Sequence, residues 1–507
     1  MLAKVYSGAN LGLNTVPVIV EVDIASQGLP SFTIVGLADR AIEEAKERVR
    51  AAIRNSGADF PPKRITVNLA PADLPKEGPV FDLAIAIGIL LGSGQLEADV
   101  SDTLMIGELS LDGSLRHTHG VLPLSLLAKK EKFKKIFVPK ENGAEGALVN
   151  GVQVYAFETL GQVASFLSNQ IILKSQRQTV INLENNLAVN EYDFSQVKGQ
   201  EQAKRALEIA AAGAHNVLLK GPPGAGKTML ARSFPSILPP LSLDEALEVT
   251  QIYSITGNLP KSKPLITTRP FRAPHHTASY VGLIGGGNTI KPGEVSLAHR
   301  GVLFLDELPE FPRQVLESLR QPLEDRQIVI SRASGSLTFP AQFILLAAHN
   351  PCPCGFLGSP KKNCICMPGQ VARYQKKLSG PLLDRIDMHL DVPAVEVEKL
   401  TGEAQVEDSL IIRKRVENAR RIQRKRFGGS GIITNSEMSN TQIKKFIILE
   451  KEATDLLKMA IIKMNLSARS YHRVLKLSRT IADLAQSENV LLEHIAESLQ
   501  YRAREEI

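Results

Sequence analysis

The chain has 507 residues, 43% hydrophobic and 22% charged, a mixture that can bury a sizeable core, as an ordinary soluble protein does. Lysine and arginine exceed aspartate and glutamate by 60 to 53, a net charge of +7 that leans toward polyanionic partners without requiring one. The longest apolar run, Leu83 to Leu91, contains a glycine and is far below the ~18 residues of a membrane span; Met1 to Val20 is broken by Asn10, Asn14 and Pro17 and does not read as a signal peptide, so no membrane segment and a cytoplasmic location are expected.

Length suggests about three domains at ~150 residues each. Residues 1–165 alternate β-branched runs (Val16 to Val22, Phe32 to Val35, Ile65 to Leu69) with helical patterns such as Asp39 to Asn55, which predicts a compact α+β or α/β domain. The stretch Leu74 to Leu83 resembles the active-site segment of Lon-type Ser/Lys proteases, and Gly107 to Gly113 with Gly120-Val121-Leu122-Pro123 resembles the segment that carries the Lon lysine. The positions matching the nucleophile and the lysine are Val80 and Pro123. A Ser–Lys mechanism needs a hydroxyl beside an amine of depressed pKa, so the resemblance implies a Lon-like (ribosomal S5 domain 2-like) fold without proteolysis. Residues 166–192 lose periodicity and gather Ser, Asn and Gln, which is linker composition.

From Asp193 the pattern changes. Val197-Lys198-Gly199-Gln200 leads into an alanine-rich helix, Glu201 to Ala212, and resembles the start of an AAA+ ATPase module, here 193–393. The apolar run Val217-Leu218-Leu219 then feeds Gly221-Pro222-Pro223-Gly224-Ala225-Gly226-Lys227-Thr228, a full phosphate-loop pattern. A glycine turn between strand and helix presents unpaired backbone N–H groups that fit polyphosphate; Lys227 is placed for the β/γ-phosphates and the Thr228 hydroxyl for Mg²⁺. Val302 to Leu305 is an apolar strand ending in Asp306 and Glu307, an arrangement that puts one carboxylate on Mg²⁺ and the next beside the attacking water. Together these predict hydrolysis of a nucleoside triphosphate with Mg²⁺, and the AAA+ resemblance implies that the nucleotide is ATP.

Pro270-Phe271-Arg272-Ala273-Pro274-His275-His276-Thr277-Ala278-Ser279, Gly285-Gly286-Gly287 and Pro292 to Gly301 carry the pattern of the Mg-chelatase-like AAA+ branch, and with the first domain and the cysteine cluster the chain resembles the ComM/YifB family over essentially its whole length. That resemblance implies two hairpins facing the pore of a ring, one before the acidic strand and one at about Gln327 to Phe343 with Ser334-Gly335-Ser336 at its turn. His275 and His276, with no partner acid visible in the sequence, read as a satisfied pair in a loop. The four cysteines, Cys352, Cys354, Cys364 and Cys366, fall within the loop 352–366; two close pairs around a turn-rich segment can wrap one tetrahedral ion, and structural Zn²⁺ is expected, with a redox pair or a vestigial cluster as the alternatives.

Asn350 ends an apolar strand, Phe343 to His349, where an AAA+ sensor-1 residue orients the lytic water or touches the γ-phosphate. Leu382-Leu383-Asp384-Arg385 resembles the segment that supplies an arginine finger, so Arg385 is the finger candidate; an ion pair with Asp384 or Asp387 is the alternative. Residues 394–507 are expected to form an α-helical lid. Within it the basic run Ile412 to Arg426 keeps helical apolar spacing and reads as a solvated lid face before a nucleic-acid contact, and Leu466 to Leu475 resembles the sensor-2 segment, with Arg469 preferred over Arg473. The family resemblance implies a homo-oligomeric ring, a hexamer, that drives branch migration of DNA during uptake and recombination, with Arg272, Lys291 and Arg332 as pore cations. The rivals are a Mg-chelatase motor subunit and an ATP-dependent protease, the latter disfavoured by Val80 and Pro123.

Overall fold

The computed structural model describes residues 2–36, 40–74, 76, 78–179, 191–287, 290–332, 335–359, 362–395, 407–464 and 466–502. Ser334 at the expected hairpin turn and residues 180–190 of the expected linker lie outside them. The chain divides into two compact units, one of Met1–Leu183, Leu243–Thr267 and Ala333–Thr338, the other of Glu184–Ser242, Thr268–Arg332 and Phe339–Ile507. Among the described residues no helix is long and apolar enough to cross a membrane.

The first unit is built on strands β1 (Leu2–Leu11), β2 (Asn14–Ile24), β3 (Ser31–Val35), β4 (Arg64–Ala70), β5 (Thr103–Met105), β6 (Glu108–Leu109), β7 (Leu115–Arg116), β8 (Lys135–Pro139) and β9 (Gln153–Phe157). Seven of them form one mixed sheet in the order β3-β4-β2-β1-β5-β8-β9, and β6 pairs with β7 apart from it. Along β2 the side chains of Val18, Val20, Val22 and Ile24 are buried and those between them less so, the period-two alternation of a sheet with one covered face. The cover includes the helix Asp82–Gly92, apolar all round and buried almost completely, as a helix without an amphipathic stripe must be.

Its first residue, Asp82, is 1% exposed and is held by Arg48 through Nε–Oδ2 and Nη2–Oδ1 bonds of 2.8 and 3.2 Å. Burial pushes this carboxyl up to about 6 against the pull of Arg48. Val80, on the turn Pro79–Phe81, and Pro123, in the helix Val121–Lys130, are both buried among apolar neighbours. The segment Leu243–Thr267, expected within the ATPase core, belongs to this unit: the hydroxyl of Ser254 donates to Glu145 (2.5 Å), Ser254 O accepts from Gly120 N (3.1 Å), and Lys261 pairs with Glu141 (2.7 Å).

The second unit holds β10 (Val217–Lys220), β11 (Phe271–Arg272), β12 (Gly285–Gly286), β13 (Lys291–Pro292), β14 (Val302–Leu305), β15 (Gln327–Arg332), β17 (Ile344–His349) and β18 (Met388–Asp391), while β16 (Gly335–Pro340) is divided, Gly335–Thr338 counting with the first unit. Five form an all-parallel sheet, β11-β14-β17-β10-β18, and the pairs β12–β13 and β15–β16 are separate two-stranded sheets. β14 and β17 are fully buried and read as continuous apolar runs, as strands covered on both faces do. Beyond Asp391 the long elements are helices: Ser409–Phe427, Lys451–Lys463, Ala468–Leu484 and Leu492–Gln500. Ser409–Phe427 buries Ile412, Val416 and Ala419 against the alanine-rich helix Glu201–Gly213. Much of its basic run is taken up by packing: Arg413 donates to Ser236 O (2.8 Å), Arg415 pairs with Glu208 and Glu407, Arg420 donates to Ala211 O (2.8 Å) and Arg426 pairs with Asp483. Lys414, Arg421, Arg424 and Lys425 stay exposed.

Replacing Arg48 by Ala strands the Asp82 carboxylate in the core of the first unit and is expected to destabilise it by about 3 kcal/mol. The chain has no tryptophan, so urea unfolding followed by circular dichroism is the measurement; an unchanged midpoint would contradict the role given to the pair.

Candidate nucleotide site and cysteine cluster

β10, β14 and β17 run parallel, so their carboxyl ends reach the same edge of the sheet, the side on which open α/β sheets bind ligands. The phosphate loop leaves β10 at Gly221, whose N–H donates to His349 O at the end of β17 (3.2 Å). A Cβ at Gly221 would lie 2.2 Å from the Val392 carbonyl oxygen, so only glycine lets the loop start this close to its neighbour. Lys227 Nζ donates to Gly221 O (2.7 Å), Pro222 O (2.9 Å) and Asn350 Oδ1 (3.0 Å), which fixes the amine between the loop and the sensor-1 candidate. Burial lowers the pKa of that amine, with Asp306 opposing. The Thr228 hydroxyl donates to Asp306 Oδ2 (2.8 Å), and Asp306 Oδ1 accepts the Glu307 N–H (2.9 Å).

These groups border one cleft of about 420 Å³, lined by Pro223, Gly224, Ala225, Gly226, Lys227, Thr228, Met229, Asp306, Glu307, His349 and Asn350. Thr228 and Asp306 form an oxygen pair of the kind that holds Mg²⁺ beside a phosphate. Glu307 is next to it, with its backbone in the left-handed region at φ 51° and its side chain 56% exposed. A non-glycine residue held there is a strained position of the sort that clusters at reactive sites. Its Oε2 lies 3.3 Å from Nδ1 of His276, and the His276 ring in turn lies against that of His275, tilted by 34° with centroids 4.0 Å apart. The histidine pair therefore does meet an acid, and that acid is Glu307. Sequence spacing gives no hint of it, because the loop carrying His276 and the end of β14 meet only in the folded sheet. His349 is buried beside Lys220 and Lys227, and burial first, then those charges, push it down to about 4, so it stays neutral at physiological pH.

Arg385, the finger candidate, and Arg469, the sensor-2 candidate, do not line this cleft. Arg385 is ion-paired with Glu324, donates to Pro381 O (2.8 Å) and is 14% exposed. Arg469, 54% exposed, reaches the other oxygen of the same Glu324 (3.0 Å). Glu324 thus gathers both, in place of the Asp384 or Asp387 partner considered for Arg385. Arg473 packs instead: it pairs with Asp387 (3.3 Å) and donates to Ile386 O (3.3 Å). Although burial opposes it, the hydrogen bond from His215 and the charge of Arg473 hold Asp387 well below the usual carboxylate range.

All four cysteines are free thiols, and their sulfurs lie within 4.8 Å of one another, with Cys352–Cys354 at 3.4 Å and Cys364 at 3.6 Å from both. Backbone N–H groups point at sulfur: Leu357 N to Cys352 (3.3 Å) and Cys354 N to Cys366 (3.4 Å). The N–H groups of Phe356 and Ile365 pull the Cys354 thiol down to about 6. Four convergent sulfurs are a donor set for a soft or borderline cation.

In this arrangement Glu307→Gln is expected to keep nucleotide binding and lose turnover, since the amide fills the space but cannot polarise water. Lys227→Ala should weaken binding itself. His276→Ala should lower kcat about tenfold with nucleotide affinity nearly unchanged, because it removes only the group that orients Glu307. Steady-state turnover together with equilibrium nucleotide binding checks all three.

Three models of known families match the chain: "Magnesium chelatase, subunit ChlI" over residues 193–400, "Subunit ChlI of Mg-chelatase" over 20–142, and "Magnesium chelatase, subunit ChlI C-terminal" over 406–502. The chain is 45% identical to the competence protein ComM of Haemophilus influenzae and 44% identical to the uncharacterized protein YifB of Escherichia coli, in both cases over 99% of this chain and 97% of the relative. The magnesium-chelatase 38 kDa subunit of Cereibacter sphaeroides is 25% identical over 32% of this chain and 53% of its own. The chain belongs to the ComM/YifB family of Mg-chelatase-like AAA+ proteins.

Proposed function

We propose that this protein is a ring-forming AAA+ motor, a hexamer acting in the cytoplasm, which couples hydrolysis of ATP with Mg²⁺ to branch migration of DNA during uptake and recombination. The observation that carries the motor half is the separation of its charges. Lys227, Thr228, Asp306, Glu307 and Asn350 share one cleft, whereas Arg385 and Arg469 are held elsewhere on Glu324. In this reading Lys227 and Mg²⁺, held by Thr228 and Asp306, neutralise the phosphates, Glu307 polarises the lytic water, and Asn350 positions it. Arg385, with Arg469 as sensor 2, then completes the site of a neighbouring subunit. A cation brought in this way is worth on the order of 10³–10⁵ in rate where it has been characterised.

The DNA half rests on the full-length likeness to a competence protein, supported by the net charge of +7 and by exposed Lys291 on β13. Arg272 leaves the set of pore cations, because both of its bonds to Glu294, at 2.6 Å each, tie it into the subunit itself. Residues 1–165 serve in this reading as a Lon-like module without proteolysis, and the helices that follow residue 393 as the lid. Identity of 45% over 99% of the chain to a competence protein, against 25% over 32% to the magnesium-chelatase 38 kDa subunit, favours the DNA motor over a chelatase. The four cysteines are proposed to hold one structural Zn²⁺, closing its coordination without an open position.

Purified protein is expected to show Mg²⁺-dependent ATPase activity that single-stranded or branched DNA stimulates severalfold. Robust basal turnover indifferent to both DNA forms would count against the DNA reading. Elemental analysis should find about one zinc per chain; less than about a tenth of an equivalent, in protein purified without chelators under reducing conditions, would contradict the structural metal.

A further inference from the structure

The cysteine loop rests directly on the phosphate loop. Gly355, which follows Cys354, is buried and sits in the left-handed region at φ +84°; a Cβ there would lie 2.5 Å from Cδ and 2.6 Å from Cγ of Pro223, and 3.7 Å from Cγ of Asn350. Pro223 lines the nucleotide cleft, and Asn350 holds Lys227 at 3.0 Å. A proline ring has no alternative rotamer with which to retreat, and its φ is locked, so a displacement of Gly355 is felt as a displacement of the loop backbone.

The other side of the contact is fastened as well. Gly355 N donates to Cys352 O (2.9 Å), so the residue that touches Pro223 is part of the turn between the first two thiols. The helix Pro368–Gln375, which starts two residues after Cys366, returns to the same place: Gln375 donates to Pro351 O (3.4 Å), and Tyr374 is buried there, pushed up to about 12 by burial and by the carboxylates of Glu310 and Glu307. The described residues on either side of the sulfur cluster therefore return to the same place, with the phosphate loop against Gly355.

We propose that the four-cysteine site is an effector site for nucleotide binding. A divalent cation of the Zn²⁺ class, bound by Cys352, Cys354, Cys364 and Cys366, seats Gly355 against Pro223 and so tightens the binding of nucleoside triphosphate. Removal of the ion leaves sulfurs 3.4–3.6 Å apart with no charge to hold them together, and the loop loses the constraint that keeps Gly355 in place. The coupling is reciprocal: nucleotide tightens metal by the same factor by which metal tightens nucleotide. The proposal rests on the reading that the cluster binds metal, but it adds a consequence which that reading does not require.

The test measures the affinity of the full-length protein for a non-hydrolysable ATP analogue, with Mg²⁺ present throughout, before and after removal of zinc by a zinc-selective chelator under reducing conditions. Chelation is expected to weaken binding about tenfold, and added Zn²⁺ to restore it. The saturated analogue should strengthen zinc retention by a matching factor. Pro223→Ala, which leaves the thiols untouched, should keep about one zinc while the effect of chelation on nucleotide affinity falls below about twofold. Affinity indifferent to zinc in the wild-type protein, or coupling that persists undiminished in Pro223→Ala, overturns the proposal while leaving a structural zinc intact. A protein that binds no zinc at all, as purified or after addition, overturns the metal reading itself.

Discussion

β10 is paired with β17 on one side and β18 on the other, β17 is paired with β14, and each of these pairings is parallel and in register over four residue pairs. Val217 faces Leu346 and Lys220 faces His349, while Leu305 faces Ala347. That register puts the start of the phosphate loop, the acid pair and Asn350 on one edge of one sheet, and the rest of the site follows from it. The Lys227 amine can then meet Asn350, the Thr228 hydroxyl can meet Asp306, and the Glu307 backbone can turn left-handed next to His276. A slip of one residue in β14 would turn Asp306 to the opposite face of the sheet and dissolve the arrangement.

The same edge has a charge problem of its own. Asp306 and Glu307 are adjacent acids, and the one lysine that lines their cleft is partly desolvated. A bound triphosphate adds further negative charge, which Mg²⁺ offsets only in part during phosphoryl transfer. Arg385 and Arg469 would supply what is missing, yet the structure sets both on Glu324. A carboxylate shared by two guanidinium groups keeps them together and oriented, and it is a partner that a phosphoryl group of a neighbouring subunit can replace with oxygens of the same kind. In the proposed function, the separation of cations from cleft is a physical reason for assembly.

What could be read from the sequence was whatever depends on neighbours in the chain. The phosphate loop is a local backbone shape demanded by glycines and a following lysine. The acid pair terminates a recognisable apolar strand, and the cysteines sit within fifteen residues of one another. Pairings across the fold were hidden. Glu324 lies in a short helix with nothing to mark it from its acidic neighbours, and it acquires meaning only when Arg385 and Arg469 converge on it. The same holds for His276 with Glu307, and for Arg272, which by composition is a spare cation and by geometry is the bidentate partner of Glu294. Leu243–Thr267 follows the phosphate loop in the chain, but Ser254 and Lys261 find their partners, Glu145 and Glu141, in the first unit; hydrophobic periodicity records that a helix has a buried face, not which surface covers it.

The central claim is that the catalytic groups of one subunit need an arginine from the next, and mixing of inactive subunits tests it most directly. Arg385→Ala protein and Glu307→Gln protein should each bind ATP, assemble and hydrolyse slowly. Combined in one assembly, they create some interfaces that join an intact Glu307 to an intact Arg385 of the adjacent chain. The account predicts that ATPase activity reappears in the mixture and peaks at intermediate ratios of the two proteins. Co-assembled mixtures that remain as inactive as either parent would contradict it, since an arginine acting within its own chain cannot be rescued by a neighbour.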